Sequence, residues 1–537
     1  MRAAFCSFSS CFFASCVCAC IVSVSCDVAG EGEEGEEGEG DEGEGGDEGE
    51  GEPAPVCPDP LPVVDVSAAT VISDCSEAAV KLAFASVQEA GGGVITFDCG
   101  PDPVTIALTA PLVVDTDLVV DGGGLVTLDG QASTRLIEVA STFDTDTPRL
   151  TLQRLTFRRG QGAESNGDAN VGAGGGAVFR TGGSLDVVDC VFEDNHGADV
   201  GQDTAGGAIF SLGGGFTTIV GSTFRNNSAS NGGAVGNLGN DLVVVNSVFS
   251  DNVASGNGGN PGNGGNGGTI SIDGEGREVQ LCGVRIEGSS ANAFGGAVFR
   301  VSYQGTEPTV IERTVIRDAV IADRAREEGP SMAGGLYLQN TTVTMSASTV
   351  LSSSAAAAGG AYFGPGSTVN LENVSFIDNV AGSSLGGGVF FDGVVAGAVV
   401  NCTFAGNAAP GEVAFGGAIV GDGSNLTMRN TLIVDNVAGN AFNPISCATR
   451  LDDGSGSFQF PVVRGGGGSD DPDALCAGGI SVVDVDLEDV DDSGVVPVRI
   501  PVAGGAAAVA GRDCPAADAL GNARAAASCT SGAVESP

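Results

Sequence analysis

The chain has 537 residues, 88 of them Gly, and its 68 Asp+Glu outnumber 22 Lys+Arg to give a formal charge of −46. No strict Gly-X-Y period runs through it, which excludes collagen, and 42% hydrophobic residues exclude wholesale disorder. Lys81 is the single Lys, so phosphate-led binding of nucleic acid is excluded, and no Trp with only three Tyr leaves little for sugar-stacking platforms.

An apolar, Cys-rich run follows Arg2 and extends to Cys26, with Phe12, Phe13, Val17, Ile21 and Val22 at its heart. It is short of the roughly 20 apolar residues of a spanning helix and reads as a secretory signal over residues 1–26. Val24-Ser25-Cys26 places a small residue before a Cys ahead of a polar tether, as in bacterial lipoprotein signals, so Cys26 is the expected lipidation site. Cys20, in Val17-Cys18-Ala19-Cys20, is the alternative, and a cleaved signal with incidental cysteines is the plain one. Residues 27–55 are a tether: from Glu31 to Glu52 the chain holds only Gly, Glu and Asp, which repel and stay solvated. A calcium-collecting role would need ligand geometry that such a segment does not fix. No cofactor is expected.

Ten cysteines remain, and an exported protein can oxidise them. Cys57, Cys75 and Cys99 precede the main body, while Cys447, Cys476, Cys514 and Cys529 follow it, as candidate staples for the two ends. Cys514 is expected to pair with Cys529, on proximity alone.

Residues 56–160 read as an N-terminal cap and first coils. Within them Ser76–Ala90 is helical, with Val80, Phe84 and Val87 at helical spacing, Asp74 or Ser76 as N-cap and Gly91-Gly92-Gly93 as the stop. Such a helix can lie across the first coil as a lid. Strand-like runs follow at Val94–Phe97, Val104–Leu108 and Leu118–Asp121.

Residues 161–440 are a repeat. Gly175-Gly176-Ala177-Val178-Phe179 recurs as Gly206-Gly207-Ala208-Ile209-Phe210, Gly232-Gly233-Ala234-Val235, Gly267-Gly268-Thr269-Ile270 and Gly295-Gly296-Ala297-Val298-Phe299. Later copies start at Gly334, Gly359, Gly387 and Gly416. Each leads into an alternating apolar segment ending in an aromatic or aliphatic residue, two spacers and often Asn, as in Leu185–Asn195, Leu242–Asn252 and Val369–Asn379. The period is strand-like, and one copy cannot bury its apolar face alone. The expected fold is all-β: a right-handed, single-stranded parallel β-helix with one coil per copy and an N-terminal capping helix.

Paired Gly supplies positive φ and room for close approach, and Asn tolerates the left-handed region. Asn195, Asn227, Asn252, Asn379, Asn407 and Asn436 should then stack as a structural ladder along one edge. Cys190 and Cys402 lie two positions before the terminal aromatic of copies seven coils apart. At ~4.8 Å per coil they are more than ~30 Å apart, so two buried thiols are expected there. Residues 441–537 read as an irregular, acidic, Cys-bearing cap.

The Gly-Gly-Ala-Ile/Val plus Phe-x-x-Asn pairing resembles the repeats of chlamydial polymorphic outer-membrane proteins, in the pectate-lyase-like β-helix superfamily. Cys514 to Asp518, Gly521, Arg524, Cys529 and Gly532-Ala533-Val534-Glu535 are similar to the tail of bacterial choice-of-anchor Q surface proteins, and Ser73–Ala90 resembles their N-terminal cap. The resemblance spans roughly residues 65–535. It implies a fold more than an activity. No membrane barrel follows the repeats, so an autotransporter route is not implied.

Members of that superfamily cut or bind acidic polysaccharides. A polygalacturonase-type hydrolase would need a Gly-His-Gly element, and the only His, His196, follows Asn195 and reads as an exposed turn residue. A calcium-dependent lyase would need several carboxylates beside a base, and Asp189, Asp194, Asp251 and Asp378 with Arg225 or Arg317 are the candidates in repeat turns. Nothing in their spacing makes them converge, and Asp484–Asp492 lacks the spacing of a calcium loop. Insertions at Gly160–Gly172, Ser255–Asn266 and Ser302–Pro330 map to loops on one face. The last carries Arg313, Arg317, Arg324 and Arg326, offset by Glu307, Glu312, Asp318, Asp323, Glu327 and Glu328.

The expected protein is exported, held at the outer cell surface by a lipid anchor alone, and monomeric. It presents an adhesive or glycan-binding face to an extracellular glycan or another surface protein, without recognisable catalytic machinery. A polysaccharide lyase or related carbohydrate-active enzyme is the alternative, and a structural envelope component the second.

Overall fold

A computed structural model describes residues 56–164, 171–258, 264–274, 277–303, 307–322, 331–422, 425–440, 445–462, 475–525 and 527–537. The second coil shows the unit. Strand Ile209–Leu212 forms face 1, Phe216–Val220 face 2, Thr223–Arg225 face 3 and Ser228–Ala229 the narrow face 4. Each pairs in parallel with its counterpart one coil on: Ile209 with Val235, Thr218 with Val243, Phe224 with Phe249 and Ser228 with Val253. Face 1 runs as eleven strands from Leu112–Val114 to Ile419–Gly421, and faces 2 and 3 share one 25-stranded sheet. The chain is a right-handed parallel β-helix, the hand that parallel crossovers take.

Alternation within each strand sends one set of side chains inward, and in-register coils stack like upon like. Phe157, Phe192, Phe224 and Phe249 form a column with ring centroids 4.7, 4.6 and 4.7 Å apart, and Phe376 stacks on Phe404 at 5.1 Å. The capping helix spans Glu77–Glu89 and buries Val80, Phe84 and Val87 against the first rungs. Ser76 is its N-cap, its side chain accepting from the Ala79 N–H. No helix among the described residues is long and apolar enough to cross a membrane.

The two Gly of each repeat divide the work assigned to them jointly. The first adopts a positive φ, 62° at Gly175 and 69° at Gly206, and Ala takes the same conformation at Ala333 and Ala358. The second makes room: a Cβ on Gly207 would lie 2.2 Å from the Gly233 carbonyl oxygen of the next coil.

The Asn ladder differs from the expectation in two ways. It is two ladders: Asn195–Asn227–Asn252 and Asn379–Asn407–Asn436, separated by Ser289, Ala319 and Ser353 in the same slot. The rungs are also fully inside, at 0–1% exposure, and the left-handed residue is the one before each, such as Asp194, Asn226 and Asp378. The corner between faces 3 and 4 therefore turns on an exposed Asp or Asn, while the ladder Asn satisfies the backbone behind it. Asn407 Oδ1 accepts from the Asn379 N–H at 3.1 Å and from its Nδ2 at 3.0 Å, and Asn407 Nδ2 donates to the Phe376 carbonyl at 2.8 Å.

A second ladder, of hydroxyls, lies at the corner between faces 2 and 3. Ser222 Oγ accepts from the Cys190 N–H at 3.1 Å, Ser247 Oγ from Ser222, Ser348 Oγ from Thr314 and Thr431 Oγ1 from Cys402. Cys190 and Cys402 occupy this slot as thiols, 1% and 0% exposed, each donating to the carbonyl two residues before it. Burial pushes both thiols up to about 12, so they stay protonated.

Cys514 pairs with Cys529, Cys75 with Cys99 and Cys447 with Cys476. Cys57 is not an end staple: it bonds Cys282 in the body, across a sequence separation of 225. Residues 56–64 lie along the flank, where Asn246 Oδ1 accepts from the N–H groups of Val56 and Cys57, and Gln153 exchanges two hydrogen bonds with Val64.

The segment after residue 440 is likewise not one cap. Coils continue to Ser481–Val482, and the chain from Val485 then runs back along the flank over face 3 and its corner with face 2. Val496, Val498, Ala533 and Val534 pack on Val315, and Thr349 donates to the Pro497 carbonyl at 2.7 Å. Asn373, Asn401 and Asn430, left-handed residues of the face 2–face 3 corner, donate to the carbonyls of Ala517, Thr530 and Arg512. The tail residues Arg524 and Asp518 act within this strap. Buried Arg524 donates to the Thr530 and Gly532 carbonyls, and Asp518 accepts from the N–H groups of Leu520, Asn522 and Glu535.

The Asn407→Ala change should cost about 3 kcal/mol, because it strands a buried N–H and a buried carbonyl. Ser289→Ala, whose hydroxyl is buried without a partner, should change stability by less than ~0.5 kcal/mol. Urea unfolding midpoints compare the two; equal effects would remove the ladder from its role.

Candidate functional site

Two surface regions stand apart from the ladders and straps. The first is a groove on the outer side of face 1, lined by Gln202, Asp203, Phe210, Asn231, Leu238, Ser271 and Asp273. Ser271 and Asp273 alternate outward from the face 1 strand Ile270–Asp273, while Asp203 comes from the loop entering the second coil. Tyr303, 64% exposed, reaches over from the turn after Val298–Val301 and donates its hydroxyl to Asp273.

Burial pushes the Asp273 carboxyl upward and the charge of Asp203 adds to that, against the Tyr303 hydroxyl and the Gly274 N–H, which pull it down. Burial also raises Asp203. Two carboxyls raised by burial, one of them also by the charge of the other and carrying a phenol, can share, donate or accept a proton. The three residues lie in three different coils. Only the superposition of coils brings them together, and no motif within one repeat marks them.

The second region is face 2 from Pro308 to Thr427. Away from the corner with face 3 its outward residues form two in-register columns: Pro308, Thr342, Thr368 and Ala396, and beside them Val310, Thr344, Asn370, Ala398 and Thr427. Thr344, Asn370, Ala396 and Thr427 are exposed, and neither column carries a charge. On a chain with 68 carboxylates that is a distinct surface. It is edged at the corner by a third column, Glu312, Ser346, Glu372, Val400 and Arg429, which carries the charges.

The sequence candidates fall elsewhere. Asp194, Asp251 and Asp378 repeat along the face 3–face 4 corner as left-handed turn residues, and Asp189 sits at the face 2–face 3 corner. They form a row, not a convergent site. Arg225 pairs with Glu193 and Arg317 with Asp492 on the returning strap. His196 is a half-buried rung of face 4 between Gln161 and Ser228, and its Nδ1 lies 2.7 Å from Ser228 Oγ. Among the described residues no group of three His, Cys, Asp or Glu could hold a metal ion. Cys26, Cys20, the 27–55 tether, Arg324 and Arg326 lie outside the described residues.

A cleft at the capped end lies apart from both regions, while an aromatic stack continues the groove's outward face 1 column, Ser271 pairing with Phe299, Phe299 with Tyr337 and Tyr337 with Tyr362. An open cleft of about 570 Å³ lies between the capping helix and residues 111–116, lined by Lys81, Phe84, Gln88, Leu112 and Asp115 among others. Tyr337 and Tyr362 stack at 4.6 Å on the outer side of face 1 beside Phe299 and Phe390. At 8% and 5% exposure, packed among Phe294, Met332, Ala333 and Ala358, they offer no open platform.

No protein-family model and no curated protein matches the chain. Among solved structures it is similar to the A-module of the mannuronan C-5 epimerase AlgE4 of Azotobacter vinelandii. That similarity has 15% identity and a TM-score of 0.32, over 68% of this chain and 91% of that one. A likeness this remote bears on neither site nor substrate.

Replacing Asp273 with Asn should stabilise the protein at pH 7. A carboxyl raised by folding gives full stability below its unfolded value and loses it as pH rises through the folded value. The gain should therefore vanish below about pH 4, where the wild-type side chain is protonated in both states. Thermal melts across pH check this; a gain independent of pH would mean that the charge is not the cause.

Proposed function

We propose that the chain is an exported, lipid-anchored surface protein whose β-helix binds a glycan or another extracellular ligand along face 2. The observation that carries this reading is the uncharged, exposed double column from Pro308 to Thr427. Strand pairing fixes its residues in place, so a ligand ordering against it finds a surface already ordered. Thr and Asn side chains offer donors and acceptors at a coil spacing of ~4.8 Å, which suits a polymer of repeating hydroxyls. The absence of charge in the columns favours an uncharged chain over a polyuronate. The resemblance of the repeats to chlamydial surface proteins and of the tail to choice-of-anchor Q proteins supports the same setting. So do the signal-like residues 1–26 and the acidic tether. In this reading the protein acts as a monomer, without cofactor and without nucleic acid.

The second reading, a carbohydrate-active enzyme, is favoured by one observation: the Asp203–Asp273–Tyr303 cluster in the face 1 groove. There Tyr303 and Asp273 would exchange protons with a sugar.

The two readings separate by variant. Thr344→Lys with Asn370→Lys should lower retention on insoluble neutral polysaccharides at least tenfold, while Asp273→Asn leaves it unchanged. Turnover of pectin, alginate or glycosaminoglycans to unsaturated uronate, lost in Asp273→Asn or Tyr303→Phe, would replace the scaffold reading with the enzymatic one.

The anchor is tested on its own. Labelled palmitate should be incorporated by the full chain and lost in Cys26→Ala. No incorporation in either means simple secretion, and loss only in Cys20→Ala moves the lipid to that residue.

A further inference from the structure

The chain's N-terminal side joins the solenoid at its middle, not at its end. On face 3 the rung Arg285–Glu287 has six rungs before it and seven after it. Residue 57 is bonded to Cys282, at the end of the face 2 strand that leads into that rung. From there the strap runs toward the capped end, meets Gln153 at Val64 and only then enters the first strand, Thr70–Ile72.

Two kinds of contact fix residues 56–57. Asn246 takes the Val56 and Cys57 N–H groups at 3.0 and 2.9 Å and returns Nδ2 to the Cys57 carbonyl at 2.7 Å and to Asp59 at 2.9 Å. Around them Val56, Leu61, Val220, Val243 and Val245 close an apolar cluster over the disulfide.

Consider force drawn through the N-terminal side, as on an anchored protein whose ligand is pulled. Were the strap free, force would reach Thr70–Ile72, an edge strand paired on one side only, to residues 95–97. Coils would then peel off one at a time, each breaking a few hydrogen bonds in sequence. With residue 57 held, force passes straight to Cys282 and the cap and first coils lie outside its path.

We propose that Val56–Val64, locked by Cys57–Cys282 and Asn246, is a mechanical clasp that transfers tension on the N-terminal side of the chain to the central coil. The proposal rests on the anchored-surface reading for its purpose, and its test does not depend on that reading.

The test is single-molecule stretching of the chain from residue 27 onward, held by a handle at that end and a second at Val413, which is 75% exposed. The wild-type chain should first yield within the coils beyond Cys282. The Cys57→Ser/Cys282→Ser chain should instead yield first and at lower force on the N-terminal side. It should release up to 225 residues, a contour of ~800 Å, in coil-sized steps. Asn246→Ala in that background should lower the force further.

Circular dichroism and a thermal melt without load accompany the stretching, and the double-Ser chain should remain folded there. Two results overturn the proposal. One is a double-Ser chain that yields at the same force and on the same side as wild type. The other is a double-Ser chain already unfolded without load, which would make the bond an ordinary staple. Neither result touches the anchor, which palmitate labelling decides separately.

Discussion

A chain that turns three or four corners per coil must bury backbone groups at each corner, where no strand partner reaches them. Every other feature of this protein depends on how that requirement is met. At the face 3–face 4 corner a buried Asn links two coils, reaching back to accept from an N–H and donate to a carbonyl of the coil before its own, as Asn407 does with the Asn379 N–H and the Phe376 carbonyl. At the face 2–face 3 corner a hydroxyl does half of that task, and where the hydroxyl becomes a thiol the sulfur keeps a backbone partner one coil back, Leu155 for Cys190 and Val374 for Cys402. Coils satisfied in this way can stack indefinitely. What limits them is the ends.

Both termini serve the ends and the flank together. The helix Glu77–Glu89 covers the first rungs, and the Cys447–Cys476 bond closes the last coils. The chain on either side of these closures then returns along the face 2–face 3 flank, from Cys57 to Val64 over the first half and from Val485 onward over the second. The left-handed Asn residues of that corner grip the straps: Asn246 in front, Asn373, Asn401 and Asn430 behind. One flank is thus consumed by the protein's own chain. Face 2 beyond Pro308 stays open beside it, and the groove at Asp273 opens on another side of the coil.

The coil was legible because each copy repeats the same demands. A positive φ before face 1, a steric gap after it, and alternation along faces 2 and 3 are local, so they print in every copy. The buried thiols were legible for the same reason, since alternation alone sends Cys190 and Cys402 inward. The straps were not legible. Asn246 and Asn430 look like ordinary turn residues in sequence, and nothing near Cys57 points to Cys282, 225 positions away. The break in the Asn ladder at Ser289, Ala319 and Ser353 was visible in the residues but not in its meaning, because the Ser353 N–H still donates to Asn379 Oδ1 while Ala319 supplies no side-chain partner. The groove was beyond reach altogether. Asp203, Asp273 and Tyr303 meet only through the stacking of coils whose lengths differ.

Hydrogen–deuterium exchange with and without a glycan retained by the protein tests the central claim, that ligand lies on face 2. Protection gained at residues 342–346, 368–372, 396–400 and 426–429, the face 2 rungs, is the result expected. Protection gained instead around Asp203, Asp273 and Tyr303, with face 2 unchanged, would contradict it.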